Sequence, residues 1–251
     1  MTSAAPTGLL STRGLSLRFG GVVAAEGIDF DLMPGERLAV VGQNGAGKTT
    51  FINICTGFLK PDSGRVFFDG TDVTGRNPRQ MTRRGIGRSF QLPQLFTEHT
   101  VRDCLMIAAS AVRSHGGFWL PLESAVDRNE IDATLELLQL QSRAKDLAGA
   151  LPEGQRKLLD VAMALVLRPK LMIMDEPTSG VSTDEKHGLM AVLMRALEER
   201  RITSIFVEHD IEIVRRYATR LAAWVAGRIV ADGAPEDVLR DAAVIKNVIG
   251  G

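Results

Sequence analysis

Gly42-Gln43-Asn44-Gly45-Ala46-Gly47-Lys48-Thr49 decides the fold, because its spacing G-x-x-x-x-G-K-[ST] is that of a nucleotide phosphate loop. Glycines in such a loop let the backbone turn tightly and aim several N–H groups at phosphate oxygens, and the following helix presents its positive end. The lysine, Lys48, would reach the β- and γ-phosphates, and the hydroxyl of Thr49 would bind Mg²⁺. We therefore predict that the segment from Gly42 to Thr50 binds ATP or GTP.

The residues on both sides of the loop support this interpretation. Leu38 to Val41 is a short apolar run typical of a buried parallel strand, and Lys48 to Thr56 carries apolar residues at helical spacing before Gly57. The alternative is a glycine-rich turn that opens an ordinary helix. The order of strand, glycine loop and helix favours the phosphate loop.

The size and charge of the chain exclude several classes of function. Its 251 residues lie near the upper size for one hydrophobic core, which predicts one domain with subdomains. Lys and Arg together number 30, as do Asp and Glu, so the formal charge is zero and no overall basic field favours nucleic acid. Nucleic-acid binding is therefore not expected.

The cysteines and the apolar stretches bear on compartment. Cys55 and Cys104 show no metal-binding spacing, so we expect two core residues and no zinc site. Met1 to Gly8 has no export-signal pattern, and the longest apolar stretches fall short of the ~20 residues of a membrane span. Those stretches are Leu105 to Val112 and Val161 to Leu167. We expect a cytosolic protein that reaches a membrane only through partners.

Two α/β segments flank a helical one. Leu9 to Val41 alternates apolar and polar residues, and Gly64 to Asp69 adds a short strand, which predicts antiparallel strands. Leu92 to Ala150 has a helical pattern, clearest from Glu130 to Leu140. Short buried strands then alternate with helices, which predicts a mostly parallel sheet. These later elements are a strand at Leu171 to Met174, a helix around Lys186 to Glu199, a strand at Ile202 to Val207, and two strands about Gly227 followed by short helices.

Two carboxylates follow the strand at Leu171 to Met174, in Asp175-Glu176-Pro177. The carboxyl ends of strands are where open α/β sheets bind ligands. Asp175 is predicted to hold Mg²⁺ as the Walker B carboxylate does, and Glu176 to take or orient the proton of an attacking water. An apolar strand that ends in acidic residues is common, but together with a phosphate loop it predicts the second half of a nucleotide site.

Leu151-Pro152-Glu153-Gly154-Gln155 opens an amphipathic helix. The predicted buried stripe of this helix is Leu158, Leu159, Val161, Ala162, Leu165 and Val166. Alone, the pentapeptide is equally an ordinary helix start with Pro in its first turn. Together with Gln91 after Ile86-Gly87-Arg88-Ser89-Phe90, the Leu-Met-Ile-Met-Asp-Glu-Pro segment, and His209 in Val207-Glu208-His209-Asp210, it resembles the ATP-binding subunit of an ABC transporter. The resemblance covers nearly the whole chain, and the Leu-x-x-Gly-Gln signature ahead of Walker B is particular to ABC ATPases.

The resemblance implies an α/β fold of the P-loop NTPase type, with a RecA-like, mostly parallel sheet, an antiparallel β subdomain and an inserted α-helical subdomain. In these terms residues 1–251 form a single ABC ATPase domain. Its α/β core with the β subdomain would take approximately residues 9–91 and 151–251, and the helical subdomain residues 92–150.

The resemblance also implies roles for particular residues and a head-to-tail dimer. Each ATP would lie between the phosphate loop of one subunit and the signature, Leu151 to Gln155, of a second ATP-binding subunit, identical or different. Gln91 would touch Mg²⁺ or the attacking water and sense the transmembrane permease through the helical insert. His209 would contact the γ-phosphate, whereas His99, His115 and His187 lack the family position. Phe19 resembles the aromatic that stacks on adenine, with a core Phe on a strand as the alternative.

The chain departs from the family pattern at two positions. Pro152 replaces the usual signature Ser, which removes the hydroxyl that relatives place on the γ-phosphate, and Pro has no N–H to replace it. Binding across the dimer is therefore expected to depend on Gly154, Gln155 and the helix end. Ser182 stands where the family usually has Asp or Asn. Glu176 and His209 are both present, so we expect a hydrolysing cassette.

Several features are most similar to the branched-chain amino acid importers and their amide and urea relatives. They are Arg88-Ser89-Phe90-Gln91 followed by Gln94-Leu95-Phe96, the long helical insert, Leu-Pro-x-Gly-Gln, and the ending Val248-Ile249-Gly250. The resemblance implies a peripheral ATPase on the cytoplasmic face of the membrane, which powers uptake through permease subunits and is served indirectly by a solute-binding protein. Nothing in the ATP site reads the transported substrate.

Three alternatives to this importer stay open. The nearest is the ABC ATPase of a lipid or lipopolysaccharide exporter, which only the partner would distinguish. A soluble ABC ATPase acting on ribosomes or DNA usually carries paired cassettes, a coiled-coil insertion or a basic surface, and none is visible. A small-molecule kinase would leave the signature at Leu151 to Gln155 unexplained.

Overall fold

The computed structural model describes residues 7–111 and 126–249. It divides into two compact units, one formed by the chain up to Met81 and from Thr203 onward, the other by Thr82–Ile202. His115, Val112 and Gly250 lie outside the described residues, as do the first six residues of the chain.

The strands within the described residues are, in chain order, β1 (Leu10–Phe19), β2 (Val22–Leu32), β3 (Arg37–Gly42), β4 (Ser63–Phe68), β5 (Thr71–Asp72), β6 (Ile86–Ser89), β7 (Leu171–Asp175), β8 (Thr203–Val207), β9 (Arg220–Val225) and β10 (Arg228–Gly233). The helices are α1 (Lys48–Cys55), α2 (Pro78–Arg84), α3 (Val101–Ser110), α4 (Arg128–Leu137), α5 (Glu153–Leu165), α6 (Thr183–Glu199), α7 (Ile211–Tyr217), α8 (Pro235–Arg240) and α9 (Ala242–Val244). Short 3-10 turns occur at Gln141–Arg143 and Ala148–Ala150, and a π-helical turn at Ile245–Ile249.

The first unit contains the predicted antiparallel strands. They form a four-stranded sheet in the order β2-β1-β4-β5. Phe19 pairs with Val22 across a two-glycine turn, so β1 and β2 form a hairpin. Asp69 and Gly70 both have positive φ between β4 and β5, as in a tight hairpin turn.

The phosphate-loop strand β3 is central to the other strands of this unit. It pairs in parallel with β8 on one side and β9 on the other, and β9 pairs antiparallel with β10. Leu38 to Val41 are all buried, because neighbours on both edges enclose the strand. The predicted buried parallel strand is confirmed, and so are the two strands about Gly227.

An aromatic cluster fixes α1 behind the loop. The ring of Phe51 packs edge-on against Phe30, with centroids 5.5 Å apart, and lies 5.0 Å from the ring of Trp224. These rings belong to α1, β2 and β9, so the start of α1 is held against both sheets of the unit. Cys55 on the same helix is buried, as is Cys104 on α3, and burial raises the pKa of each thiol.

In the second unit β6 pairs in parallel with β7, and α5 packs against β6, α3 and α6. Every residue of the predicted apolar stripe of α5 is buried. The helix predicted at Glu130 to Leu140 is found as α4, which ends earlier because Gln139 takes a left-handed φ of 58°. The helix predicted around Lys186 begins sooner, at Thr183, where Ser182 is the N-cap residue.

The structure bears on the expected absence of a membrane span only within the part of the chain that it describes. No helix there has the length and apolar character needed to cross a bilayer.

Candidate nucleotide site

The phosphate loop joins β3 to α1 with backbone that requires glycine. Gly42 has φ 155°, and a Cβ there would lie 2.4 Å from the carbonyl oxygen of Trp224. Gly47 has φ 101°, and a Cβ there would lie 2.2 Å from the carbonyl oxygen of Ala24. Gly45 is also left-handed, but a Cβ there would meet no atom within 4 Å, so its requirement for glycine is conformational alone. The cradle is therefore shaped by close backbone approach.

Lys48 is held above this cradle. Its side chain is buried, and Nζ donates to the carbonyl oxygens of Gly42, at 2.5 Å, and Gln43, at 3.0 Å. Thr49 and Thr50 follow in the first turn of α1, which carries no acidic residue that would oppose an anion. An ammonium group at a helix N-terminus suits a polyphosphate, because both carry positive potential toward it.

His209 lies at the same edge of the first unit as the loop. It follows β8, whose Val207 pairs with Val40 just before the loop begins. Its side chain is exposed, and its backbone N–H donates to Oε2 of Glu208 at 3.3 Å. The carboxyl ends of neighbouring parallel strands therefore bring the predicted γ-phosphate ligand and the phosphate loop to one edge.

Phe19 lies at the end of β1 and is 51% exposed. The alternative reading of a core phenylalanine is therefore wrong. Val22, its partner across the hairpin, is exposed as well, so the ring is open to stack on a flat ligand.

The second unit brings Gln91 and Glu176 together. Register pairs Ser89 with Met174, so the residues that follow β6 and β7 leave the strands at one edge. Nε2 of Gln91 donates to Oε2 of Glu176 at 2.8 Å. Glu176 has a φ of 50°, a left-handed conformation that is uncommon for residues other than glycine. The predicted base therefore has a fixed partner and a fixed backbone.

Asp175, the predicted Mg²⁺ ligand, is buried at the end of β7. Its Oδ2 lies 3.9 Å from Nη2 of Arg88, and the guanidinium of Arg88 lies over the ring of Phe90 at 4.9 Å. Burial lowers the pKa of Arg88, and the charge of Asp175 opposes that shift. A carboxylate held in this way is a hard oxygen donor of the kind that Mg²⁺ prefers.

The signature segment begins α5 in the second unit. Leu151 is buried, whereas Pro152 and Glu153 are exposed and Gly154 is half-buried. Pro152 occupies the N-cap position and makes no side-chain capping hydrogen bond, so the expected loss of a hydroxyl is also the loss of a cap.

Arg156 and the open space at Gly154 set the shape of the signature. Arg156 holds the backbone that leads into the signature. Its Nε donates to the carbonyl of Leu151 at 2.8 Å, and its Nη2 donates to that of Gly149 at 2.6 Å. A Cβ on Gly154 would meet only Cδ1 of Leu189, at 3.6 Å. The space beside the α-carbon of Gly154 is therefore nearly empty.

Sequence reasoning missed two charged residues on the buried face of α5. Lys157 and Asp160 are only 4% and 7% exposed, beside the apolar stripe that the sequence did predict. Burial raises the pKa of Asp160 to about 6, although two backbone N–H groups and the charge of Lys157 oppose the shift. The available signal was a charged pair three residues apart on the inward side of an amphipathic helix.

Comparison with known proteins gives the family. The sequence model described as ABC transporter matches residues 25–179. The chain is 36% identical to a probable branched-chain amino acid transport ATP-binding protein LivG of Archaeoglobus fulgidus, over 96% of this chain and 95% of the relative. It is 31% identical to the high-affinity branched-chain amino acid transport ATP-binding protein BraF of Pseudomonas aeruginosa, over 96% of this chain and 98% of the relative.

Solved structures are similar over the same span. An ATP-binding cassette of an ABC transporter, MJ1267, aligns with a TM-score of 0.83 and 32% identity, over 96% of this chain and 98% of that one. The protein cbiO1 from Clostridium perfringens, part of the ABC transporter complex cbiONQ, aligns with a TM-score of 0.81 and 30% identity, over 95% and 93%. The predicted fold class, with its parallel and antiparallel sheets and its helices, is confirmed.

Proposed function

The chain belongs to the ABC transporter family of ATP-binding proteins, and we propose that it powers the uptake of branched-chain amino acids through separate permease subunits. Related small polar solutes are included in the proposed substrate class. The chain is an ATPase whose hydrolysis is coupled to transport. The proposed substrate is supported by relatives that are named for branched-chain amino acid transport and that this chain matches along nearly their whole length.

The hydrogen bond between Gln91 and Glu176, 2.8 Å long, carries the proposal of a hydrolysing subunit. Glu176 would take the proton of the attacking water, and Gln91 would orient that water while it holds the carboxylate in place. His209 would contact the γ-phosphate. Phosphoryl transfer depends mainly on the positioning of the reacting groups and on charge stabilisation. Side chains that hydrogen bonds already hold in place supply the positioning.

ATP would bind through the loop from Gly42 to Thr50. The close approaches at Gly42 and Gly47 leave no room for side chains, which fits a cradle in which backbone N–H groups face phosphate oxygens. Lys48 would exchange a carbonyl partner for a phosphate oxygen, and Phe19 would stack on adenine. Thr49, Gln91 and Asp175 would each offer Mg²⁺ a hard oxygen donor, and the ion would neutralise charge on the phosphates.

The signature segment, Leu151 to Gln155, would bind the ATP held by a second ATP-binding subunit. Its helix end offers free N–H groups, and Gly154 is open to close approach. Binding to transmembrane permease subunits would keep this chain at the cytoplasmic face of the membrane. A solute-binding protein would serve the transporter indirectly, without binding this chain.

The substitution Glu176→Gln tests the hydrolytic proposal. The amide keeps the size of the side chain but cannot accept a proton, so kcat should fall by about 10²-fold or more while ATP stays bound. The variant should then accumulate as an ATP-dependent dimer on size exclusion. Glu198→Gln, an exposed change on α6, is the matched control and should hydrolyse ATP at the wild-type rate. An unchanged rate in Glu176→Gln would remove Glu176 from the mechanism.

The transported substrate requires the membrane complex. We would purify the chain from detergent-solubilised membranes, identify the co-purifying permeases and reconstitute the complex in liposomes. ATP-dependent accumulation of labelled leucine, with no accumulation of labelled glucose, is the expected result. Co-purification with a lipid or lipopolysaccharide exporter would overturn the importer, and recovery with no membrane protein would favour a soluble ABC ATPase.

A further inference from the structure

We propose that Lys157 and Asp160 are positioning residues that hold Gln91 and Glu176 in hydrolytic geometry from the buried face of α5. The proposal rests on the function proposed above, because it concerns how that reaction is organised. All the residues involved belong to the second unit.

Lys157 joins α5 to the segments that follow β6 and β7 through one ammonium group. Nζ donates to the carbonyl oxygen of Gln91 at 2.8 Å, to that of Glu176 at 3.3 Å and to Oγ of Ser179 at 3.0 Å. An ammonium has three donors, and here three oxygens accept from it, one after β6 and two after β7. A buried charge is tolerated only when it is well paired, so this arrangement explains why a lysine can lie under the site.

Asp160 holds the same segment through its N–H groups. Oδ2 accepts from the backbone N–H of Phe90 at 2.9 Å, and Oδ1 accepts from that of Gln94 at 3.2 Å. These two residues lie on either side of Gln91 in the chain. The carboxylate therefore fixes the backbone before and after Gln91, while Lys157 fixes the carbonyl of Gln91 itself.

The backbone of Glu176 is held as well. Its carbonyl oxygen accepts from Nζ of Lys157 and also from the backbone N–H of Ser179, at 3.1 Å. A non-glycine residue in a left-handed conformation persists only when its surroundings hold it there. Lys157 therefore contacts the backbone of both members of the Gln91–Glu176 hydrogen bond, and one helix face sets the relative position of the two side chains.

Lys157 and Asp160 lie on the same helix that begins with the signature segment. Lys157 and Asp160 are three residues apart, so they share one face of the helix, and this helix begins directly after Pro152. The helix that carries the signature at its start therefore also bonds the backbone around Gln91 and Glu176, one turn further along. A shift of α5 would alter both.

The test is steady-state ATP hydrolysis by the full chain with Lys157→Met and with Asp160→Asn. Methionine keeps length without charge or donors, and asparagine keeps shape with one acceptor. Each should lower kcat by about tenfold or more, because small misplacement of reacting groups is costly, and change the KM for ATP by less than about threefold. Lys157→Arg should recover part of the lost rate, since a guanidinium still donates to carbonyls.

A double-mutant cycle separates positioning from general stability. In a Gln91→Ala background, Lys157→Met should lower kcat by a clearly smaller factor than in the wild-type background, because one of the two side chains that it positions is gone. Glu130→Gln is the matched structural control: Glu130 accepts from Arg168 and is paired with Arg200 in the same unit, so its loss should lower the melting temperature but leave kcat unchanged. Should Lys157→Met not fold, the near-isosteric Asp160→Asn decides by the same criteria.

An undiminished kcat in folded Lys157→Met and Asp160→Asn, beside an inactive Glu176→Gln, would overturn the positioning role and leave the proposed function intact. Fully multiplicative losses in the double mutant would also overturn it. A wild-type chain that does not hydrolyse ATP would instead overturn the proposed function, and the positioning role with it.

Discussion

At the scale of residues, Asp160 is a carboxylate placed where its charge is costly. Desolvation raises its pKa to about 6, although the N–H groups of Phe90 and Gln94 and the nearby ammonium of Lys157 favour the charged form. The chain therefore gives up stability near neutral pH to keep a group that can accept two backbone hydrogen bonds.

This gives a prediction for Asp160→Asn. Because the pKa in the folded state, about 6, is higher than the usual aspartate value of 3.8, the protonated carboxyl stabilises the fold below pH ~4, and this stabilisation is lost as pH rises through 6. Between pH 5 and 7.5 the wild-type chain should lose about 1.4 kcal/mol relative to Asp160→Asn. Urea unfolding of the nucleotide-free proteins at both pH values measures this, and a pH-independent difference would contradict it.

At the scale of elements, α5 begins without a side-chain cap. Proline at the N-cap position contributes no hydroxyl, so the free N–H groups of the first turn find no side-chain acceptor there. These N–H groups are also the ones that would face the second subunit's γ-phosphate. An uncapped helix start therefore leaves its positive potential available to the ligand.

Comparison of Pro152→Ser with Pro152→Ala isolates this effect, because both changes remove the proline and only one adds a hydroxyl. The Ser variant should be more stable than the Ala variant by about 1 kcal/mol. In a Glu176→Gln background it should also dimerise at lower ATP concentration, since the hydroxyl can serve the phosphate. Calorimetry measures the stability and size exclusion measures the dimerisation. Equal stability and equal dimerisation of the two variants would show that the hydroxyl contributes to neither.

Elements were predictable from the sequence where their cause is local. The strand, glycine loop and helix from Leu38 to Cys55 follow from an apolar run and glycine spacing, and the structure has them in those places. The end of α4 was not predictable, since only the left-handed conformation of Gln139 marks it. Lys157 and Asp160 escaped notice because lysine and aspartate are almost never fully buried unless paired, and their partners Gln91 and Phe90 lie more than sixty positions away along the chain. Pairing of that kind is a property of the fold.

At the scale of the whole molecule, the phosphate loop and the signature are proposed to serve different ATP molecules. A mixture of two inactive variants should therefore hydrolyse ATP although neither variant does so alone. Lys48→Ala damages the phosphate loop, and Gly154→Asp puts a negative charge in the signature without a close neighbour to disturb the fold. If each ATP is shared between two copies of this chain, either variant alone has two damaged sites. A mixed dimer has one site with both lesions and one site with none, so mixing should restore ATP hydrolysis.

The matched control mixes Lys48→Ala with Thr49→Ala. Both lesions then lie in the phosphate loop, so every site in the mixed dimer keeps a damaged loop and the mixture should stay inactive. Hydrolysis is measured as phosphate release across a range of mixing ratios, with the maximum expected at equal amounts. Inactivity of the first mixture, with wild-type chain fully active, would mean that this chain does not share its ATP with a copy of itself, as expected if its partner is a different ATP-binding subunit.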